Sequence, residues 1–279
     1  MSVHVATSLR DALGAMAADP IAQALAGGTD LMVEVNFGHR SPDAIVALDR
    51  VPELKGWSRR ADTIRLGAGL TYTEMLEPAL GAVLPALAEA ARTVGSPQIR
   101  NVATLGGNLG TCSPAGDALP VLSALDATVE LASVTGGRSV SVHEFMVGVK
   151  RTALAPGELV VAATVPVLDG YQGFAKVGVR NAMVISVASA CLVIDPAGRT
   201  VRLALGAVGP TIVRARAAEA WLAGELPWDG GGLASGVAEE LGRRAAAEAR
   251  PIDDHRSTAG YRRHAVSVLA ARLLRRAYP

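Results

Sequence analysis

The sequence predicts an α+β protein in two parts, and three observations carry that prediction. Strands and short helices are mixed through the first 168 residues without the regular strand–helix alternation of a doubly wound sheet. A turn-rich stretch, Pro166 to Gly170, then separates two differently patterned regions. Beyond it, three strand-like segments come in succession and helical segments follow, so the second part reads as a small three-stranded antiparallel sheet covered by helices. The expected domains are 1–168 and 169–279, and a chain of 279 residues is long enough to bury a sizeable core.

In the first part, Thr7 to Ala18 reads as a helix, with Thr7 or Ser8 as N-cap and Leu9, Ala12, Leu13 and Met16 at helical spacing. Gln23 to Ala26 is a short strand that delivers a Gly-Gly turn. Leu31 to Val35, Ala44 to Leu48 and Thr63 to Ala68 have the apolar runs or alternation of strands. Thr71 with Glu74 spells a capping box, and Val83 to Val94 reads as one helix closed by Gly95. Ala118 to Leu125 is a helix beginning beside Asp117. Val129 to Ser133 and Arg138 to Val142 flank a turn at Thr135-Gly136-Gly137 as a β-hairpin, and Leu159 to Val165 is another strand. In the second part, Phe174 to Arg180, Ser186 to Ile194 and Thr200 to Ala207 are the three strands. Ala215 to Ala223, Gly236 to Ala249 and Tyr261 to Ala277 are helices, the last behind Ser257 or Thr258.

Bulk properties exclude several function classes. A net charge of +1 gives nucleic acid nothing to be drawn by. Arg262, Arg263, Arg272, Arg275 and Arg276 gather late in the chain, as a solvated helix face or a docking surface. No apolar run reaches the roughly 18 residues of a membrane helix; the longest uncharged run of this kind, Asn181 to Ile194, reads as buried core. The N-terminus has no basic region followed by an apolar run, and with only Cys112 and Cys191 the chain is expected in a reducing, cytoplasmic setting. Two thiols cannot ligate an iron–sulfur cluster, and the five histidines are scattered without metal-site spacing. There is no G-x-S-x-G elbow, and Cys112 reads as a packed thiol rather than a nucleophile.

What remains is glycine. Between Arg100 and Asp117 sixteen consecutive residues carry no charge and four are glycine. Gly106 and Gly107 lack a Cβ and can take positive φ, so successive N–H groups there can form a concave nest for an anion such as a pyrophosphate. Thr104, Asn108, Thr111 and Ser113 add short polar side chains. Ala26-Gly27-Gly28-Thr29-Asp30-Leu31 repeats the pattern earlier, and two nests suggest one long ligand. Neither stretch fits the P-loop or the dinucleotide G-x-G-x-x-G fingerprint.

Ala26-Gly27-Gly28-Thr29-Asp30 together with Thr104-Leu105-Gly106-Gly107-Asn108 resembles the paired FAD-binding motifs of the FAD (medium) subunit of molybdenum hydroxylases. That family includes the medium subunits of carbon monoxide dehydrogenase and the FAD domain of xanthine dehydrogenase. The resemblance extends through Ser113-Pro114-Ala115-Gly116-Asp117, Phe174-Ala175-Lys176 to Arg180, and Asp254-His255-Arg256-Ser257 followed by Tyr261-Arg262-Arg263, so it covers nearly the whole chain. It implies a two-part FAD-binding domain of the vanillyl-alcohol-oxidase (PCMH) type over 1–168 and a carbon monoxide dehydrogenase flavoprotein-like C-terminal domain over 169–279.

The resemblance also implies which residues hold noncovalent FAD. Ala24, Leu25, Ala26, Gly27, Gly28, Thr29, Asp30 and Leu31 form one contact segment, and Thr104, Leu105, Gly106, Gly107 and Asn108 the other. Val94 and Val160 flank the isoalloxazine, Lys176 reaches it and stabilises negative charge on the reduced ring, and Asp117 holds the ribose. The residues themselves leave Asp117 two readings, ribose ligand or helix cap, and leave Lys176 a rival as a surface lysine.

In function, the resemblance implies an electron-transfer subunit of a dimer of heterotrimers. A small subunit with [2Fe-2S] clusters delivers electrons and a large subunit carries the molybdenum cofactor, so neither centre belongs to this chain. The alternative is a self-contained flavin oxidase or dehydrogenase of the vanillyl-alcohol-oxidase type. Its roomy substrate domain and occasional His or Cys flavin tether fit less well, because the second part is short and neither Gly-Gly stretch contains His.

Overall fold

The computed structural model describes residues Met1–Pro279, which fold as two units interleaved along the chain. Met1–Met75, Ser96–Cys112 and Asp126–Pro166 make up the first; Leu76–Gly95, Ser113–Leu125 and Val167–Pro279 make up the second. The helices in chain order are α1 (Leu9–Ala18), α2 (Leu31–Asn36), α3 (Pro78–Val83), α4 (Pro85–Arg92), α5 (Pro97–Arg100), α6 (Leu105–Thr111), α7 (Ala118–Ala124), α8 (Val142–Phe145), α9 (Arg216–Glu225), α10 (Val237–Glu248) and α11 (Ala259–Ala277). None is long and apolar enough to cross a membrane.

In the first unit, β1 (Ser2–Val5), β2 (Gln23–Leu25) and β3 (Ala44–Ala47) form a small parallel sheet in the order β1-β3-β2. Ser8 starts α1 by accepting from the Asp11 N–H, and Ala12, Leu13 and Met16 bury the helix face. The larger sheet is antiparallel. It takes β4 (Trp57–Arg60), β5 (Thr63–Gly67), β6 (Thr128–Ser133) and β7 (Gly136–Ser141), and, after a short hairpin of β8 (Met146–Gly148) and β9 (Arg151–Thr152), β10 (Leu159–Pro166). The order β4-β5-β10-β6-β7 puts β10 at its centre, which explains the apolar run of that strand.

Two expectations fail here for identifiable reasons. Leu31 to Val35, expected as a strand, is helix α2: Met32 donates to Gly28 O and Glu34 to Asp30 O, and no residue of α2 is buried. A five-residue apolar run has no period long enough to separate helix from strand. Val83 to Val94, expected as one helix, is broken at Leu84 between α3 and α4. Pro85 disfavours helical geometry in the residue before it, and Leu84 takes φ −129°, ψ 64°.

In the second unit, β11 (Tyr171–Val177), β12 (Ala188–Asp195), β13 (Thr200–Gly206) and β14 (Val213–Arg214) form one antiparallel sheet in chain order. It has four strands rather than the expected three. The extra strand pairs only Val213 and Arg214 with Leu205 and Ala204, too short to show alternation in sequence. Leu192, Leu203 and Leu205 pack with Leu222 of α9, Leu241 of α10 and Val266, Leu273 and Leu274 of α11. Every residue of α7 is buried, and a Cβ on Gly206 of β13 would lie 2.9 Å from Pro120 of α7. The close approach of α7 to the sheet therefore fixes the segment just before it, Ser113 to Asp117.

The arginines of α11 divide by role. Arg262 is buried, and its Nη1 donates to Val187 O and Ala207 O, both at 2.8 Å, while Nη2 pairs with Asp254. Arg275 pairs with Glu239 and Arg276 with Glu89, whereas Arg263 and Arg272 are exposed.

Candidate functional site

Strand β2 carries Ala24 and Leu25 alongside Val46 and Ala47 of β3 and ends in the loop Ala26–Asp30, after which Leu31 opens α2. Gly28 has φ +71°, the left-handed region that glycine enters without a Cβ clash. The backbone N–H groups of Ala26, Gly27, Gly28, Thr29 and Asp30 donate to no acceptor within the chain. That is a run of unpaired donors on a half-buried turn. Gly27 is different: a Cβ there would lie 1.8 Å from Val102 O and 2.9 Å from Ala103 N, so its bareness lets the loop lie against the turn segment before α6.

That segment leads into the second glycine pair. Thr104 is the N-cap of α6, and its Oγ1 accepts from Gly107 N at 3.0 Å. Leu105 N donates to Leu70 O, Gly106 N to Ala68 O and Asn108 N to Thr104 O, at 2.9, 2.7 and 3.0 Å. A Cβ on Gly106 would sit 2.7 Å from Ala68 Cβ and 2.8 Å from Ala68 O. Neither Gly106 nor Gly107 has positive φ. The expected nest of left-handed glycines is therefore absent here, because the pair opens a helix whose first N–H groups are already bonded within the protein. What α6 keeps unpaired is a side-chain atom: Asn108 Oδ1 is buried without a hydrogen-bond partner. The two glycine stretches do meet, since a Cβ on Gly107 would lie 4.0 Å from Ala26 Cβ.

A charged cluster stands at the end of the first loop. Lys150, in the turn between β8 and β9, places Nζ 2.5 Å from Glu34 Oε1 and 3.5 Å from Asp30 Oδ2. Thr111 Oγ1, at the end of α6, donates to Asp30 Oδ2 at 3.4 Å. The Lys150 hydrogen bond holds the Glu34 carboxyl below the usual carboxylate range. No local pattern in the sequence marks Lys150, because its acidic partners lie 116 and 120 residues away. Cys112 takes φ +48° as the C-cap of α6, and burial pushes its thiol up, so it is a packed residue.

The second unit brings Asp117 and Lys176 together. Lys176 Nζ lies 2.5 Å from Asp117 Oδ2 and also donates to Thr93 O and Val184 O at 3.0 and 3.3 Å. Ser186 Oγ donates to Asp117 Oδ1 at 2.5 Å. Both ionic side chains are buried, at 7% and 6% exposure, so Lys176 is no surface residue, and its ammonium is half of an ion pair. Asp117 stands at the N-cap position of α7 but makes no side-chain cap bond. Burial pushes its carboxyl up, against the pull of Lys176 and Ser186. Val94 lies in the turn after α4. Val160 is buried in β10 beside the register shift at Val161, whose carbonyl accepts from Ala68 N.

The arrangement offers donors for an anion and no hydrolytic apparatus. His4 and His143 pair with Asp11 and Asp126 at the surface, and no group of three or more His, Cys, Asp or Glu side chains could hold a metal ion.

Comparisons with known proteins match the chain along nearly its whole length. Residues 1–168 match the family described as the FAD binding domain in molybdopterin dehydrogenase, and residues 174–277 match the CO dehydrogenase flavoprotein C-terminal domain. The glyceraldehyde dehydrogenase medium chain of Sulfolobus acidocaldarius is 33% identical over 268 residues, which are 95% of this chain and 93% of its own. The xanthine dehydrogenase FAD-binding subunit of Escherichia coli O157:H7 is 34% identical over 227 residues, 78% of this chain and 77% of its own. A chain in the solved structure of carbon monoxide dehydrogenase from Hydrogenophaga pseudoflava superimposes with a TM-score of 0.90 at 28% identity, covering 99% of this chain and 96% of that one.

Proposed function

The chain belongs to the family of FAD-binding medium subunits of molybdenum hydroxylases, flavoprotein oxidoreductase components, and on that premise we propose that it is the electron-transfer subunit of such a complex. In this reading a small partner subunit delivers electrons from [2Fe-2S] clusters, a large partner carries the molybdenum cofactor, and an external acceptor takes the electrons from this chain. The complex is a dimer of heterotrimers in the cytoplasm. The chain divides into a PCMH-type FAD-binding domain over 1–168 and a C-terminal domain over 169–279.

One observation carries the FAD assignment on this chain's own residues: the run of unpaired N–H groups from Ala26 to Asp30 around the left-handed Gly28. Successive free amides are the donor set that a pyrophosphate requires. The buried, unpaired Asn108 Oδ1 on the adjoining helix is a second group that fits a cofactor rather than a finished core, since buried polar atoms ordinarily find partners. Bound there, FAD supplies one- and two-electron redox chemistry that the side chains lack.

The segments Ala24–Leu31 and Thr104–Asn108 line the cofactor, the first through backbone N–H groups and the second through the side chains of Thr104 and Asn108. Asp117 accepts from a ribose hydroxyl with the lone pairs left over from Lys176 and Ser186, since a carboxylate has about four acceptor positions. Lys176 orients that carboxylate and would stabilise negative charge on the reduced flavin ring. Val94 and Val160 flank the isoalloxazine as aliphatic surfaces.

The test is to purify the native complex and measure flavin, iron and molybdenum, and then to titrate FAD into this chain alone. FAD bound by the chain, with iron and molybdenum confined to the other subunits, is the expected result. A chain that turns over substrate by itself would contradict it.

A further inference from the structure

We propose that Lys150 is a positioning residue for the Ala26–Asp30 loop: it pins Asp30 and Glu34 and, together with Arg40, neutralises them, so that the loop's free N–H groups face a phosphate without two uncompensated carboxylates beside them. The proposal rests on the reading of that loop as the pyrophosphate cradle.

Two segments distant in sequence converge on this lysine. Its Nζ contacts Glu34 and Asp30, its backbone N–H donates to Cys112 O at 3.1 Å, and Thr111 at the end of α6 donates to Asp30. Lys150 and Cys112 both have positive φ, 52° and 48°. Left-handed backbone in residues with a Cβ persists only where surroundings over-determine it, and here it occurs on both sides of a single hydrogen bond. The hairpin is thereby fixed to α6, and the lysine side chain extends that connection to the first glycine loop.

Charge supplies the second half of the argument. Asp30 is the last residue of the donor run and Glu34 lies one turn further along α2, so the segment that would receive an anion ends in two negative charges. Lys150 and Arg40, the latter 3.5 Å from Glu34 Oε2, bring the cluster to neutrality. Lys150 and Asp30 are exposed, at 45% and 48%, and Glu34 is half-buried. Exposed pairs add little to folding stability, so the contact acts on how the loop is held and on the field it presents rather than on whether the unit folds.

The experiment is FAD titration of the FAD-free full chain, followed by flavin fluorescence, with riboflavin as the probe that lacks phosphates. Lys150→Met keeps a Cβ and the same backbone cost. It is expected to weaken FAD by about three- to tenfold while the apoprotein melts within about 2 °C of wild type. Lys150→Arg should restore affinity, and Glu34→Gln added to Lys150→Met should recover most of the loss by removing the exposed negative charge. Riboflavin affinity should be the same in all variants. Unchanged FAD affinity in Lys150→Met, no recovery in the double variant, or an equal loss for riboflavin would each overturn the positioning role of Lys150. A wild-type chain that binds no FAD would instead overturn the cradle itself, and this proposal with it.

Discussion

The two Gly-Gly pairs are nearly the same text and do different physical work. Around Gly27–Gly28 the backbone N–H groups from Ala26 to Asp30 have no partner in the chain, and one glycine is left-handed. Around Gly106–Gly107 the N–H groups of Leu105, Gly106, Gly107 and Asn108 are all bonded within the protein, and both glycines are helical. The first pair exposes donors; the second closes a joint, because Gly106 must pass within contact of Ala68 for Leu105 and Gly106 to bond Leu70 and Ala68. A missing side chain can make room for a ligand or for another stretch of backbone, and only the partner in space tells which.

The largest expected effect lies at the far end of the second stretch, which is anchored by the buried pair of Asp117 and Lys176. Lys176→Met leaves a buried carboxylate without its ammonium, and such changes cost about 3–5 kcal/mol. The sign with pH follows from burial. Asp117 is raised in the folded chain, so between its unfolded and folded pKa the native state holds more protons, and stability falls as pH rises through that window. Without Lys176 the folded pKa climbs further and the window widens. Chemical denaturation of Lys176→Met from pH 4 to 8 should therefore show a steeper fall with rising pH than wild type; a parallel offset would mean that the pair is not electrostatically coupled.

Next is Gly106→Val, which drives a side chain into Ala68 and should destabilise the fold by about 1–3 kcal/mol or more, as overpacking does. Thermal melting of the apoprotein reads it. A normal melting temperature with lost FAD would turn the comparison around and make Gly106 the ligand-facing residue. Gly28→Ala is smaller, with a left-handed penalty of roughly 1–2 kcal/mol that falls on the loop conformation. Its mark should be in FAD affinity, and retention of full affinity would show that the loop does not need that geometry.

Much of the fold was legible because burial imposes a period. The central strand β10 and the buried strands β12 and β13 announced themselves by apolar runs between turn residues, and the hairpin of β6 and β7 by the Gly-Gly beside its turn. Segments without a long period were not legible: α2 looked like a strand, and β14 was too short to see. The break at Leu84 was written in Pro85 and could have been read. At the candidate site both glycine pairs stood out, and the structure brings them together. Their different tasks did not stand out, because Gly27 answers to Val102 and Gly106 to Ala68, contacts with no local signature. The same holds for Lys150 with Glu34 and for Lys176 with Asp117.

Under the proposed function the first glycine pair faces the cofactor, while the second faces the protein. Measuring FAD affinity and apoprotein melting temperature side by side for Gly28→Ala and Gly106→Ala tests it most directly. Gly28→Ala is expected to weaken FAD by about tenfold with little change in melting, while Gly106→Ala lowers the melting temperature and its folded fraction binds FAD as wild type does. Equal FAD losses at unchanged melting temperature in both variants would contradict it.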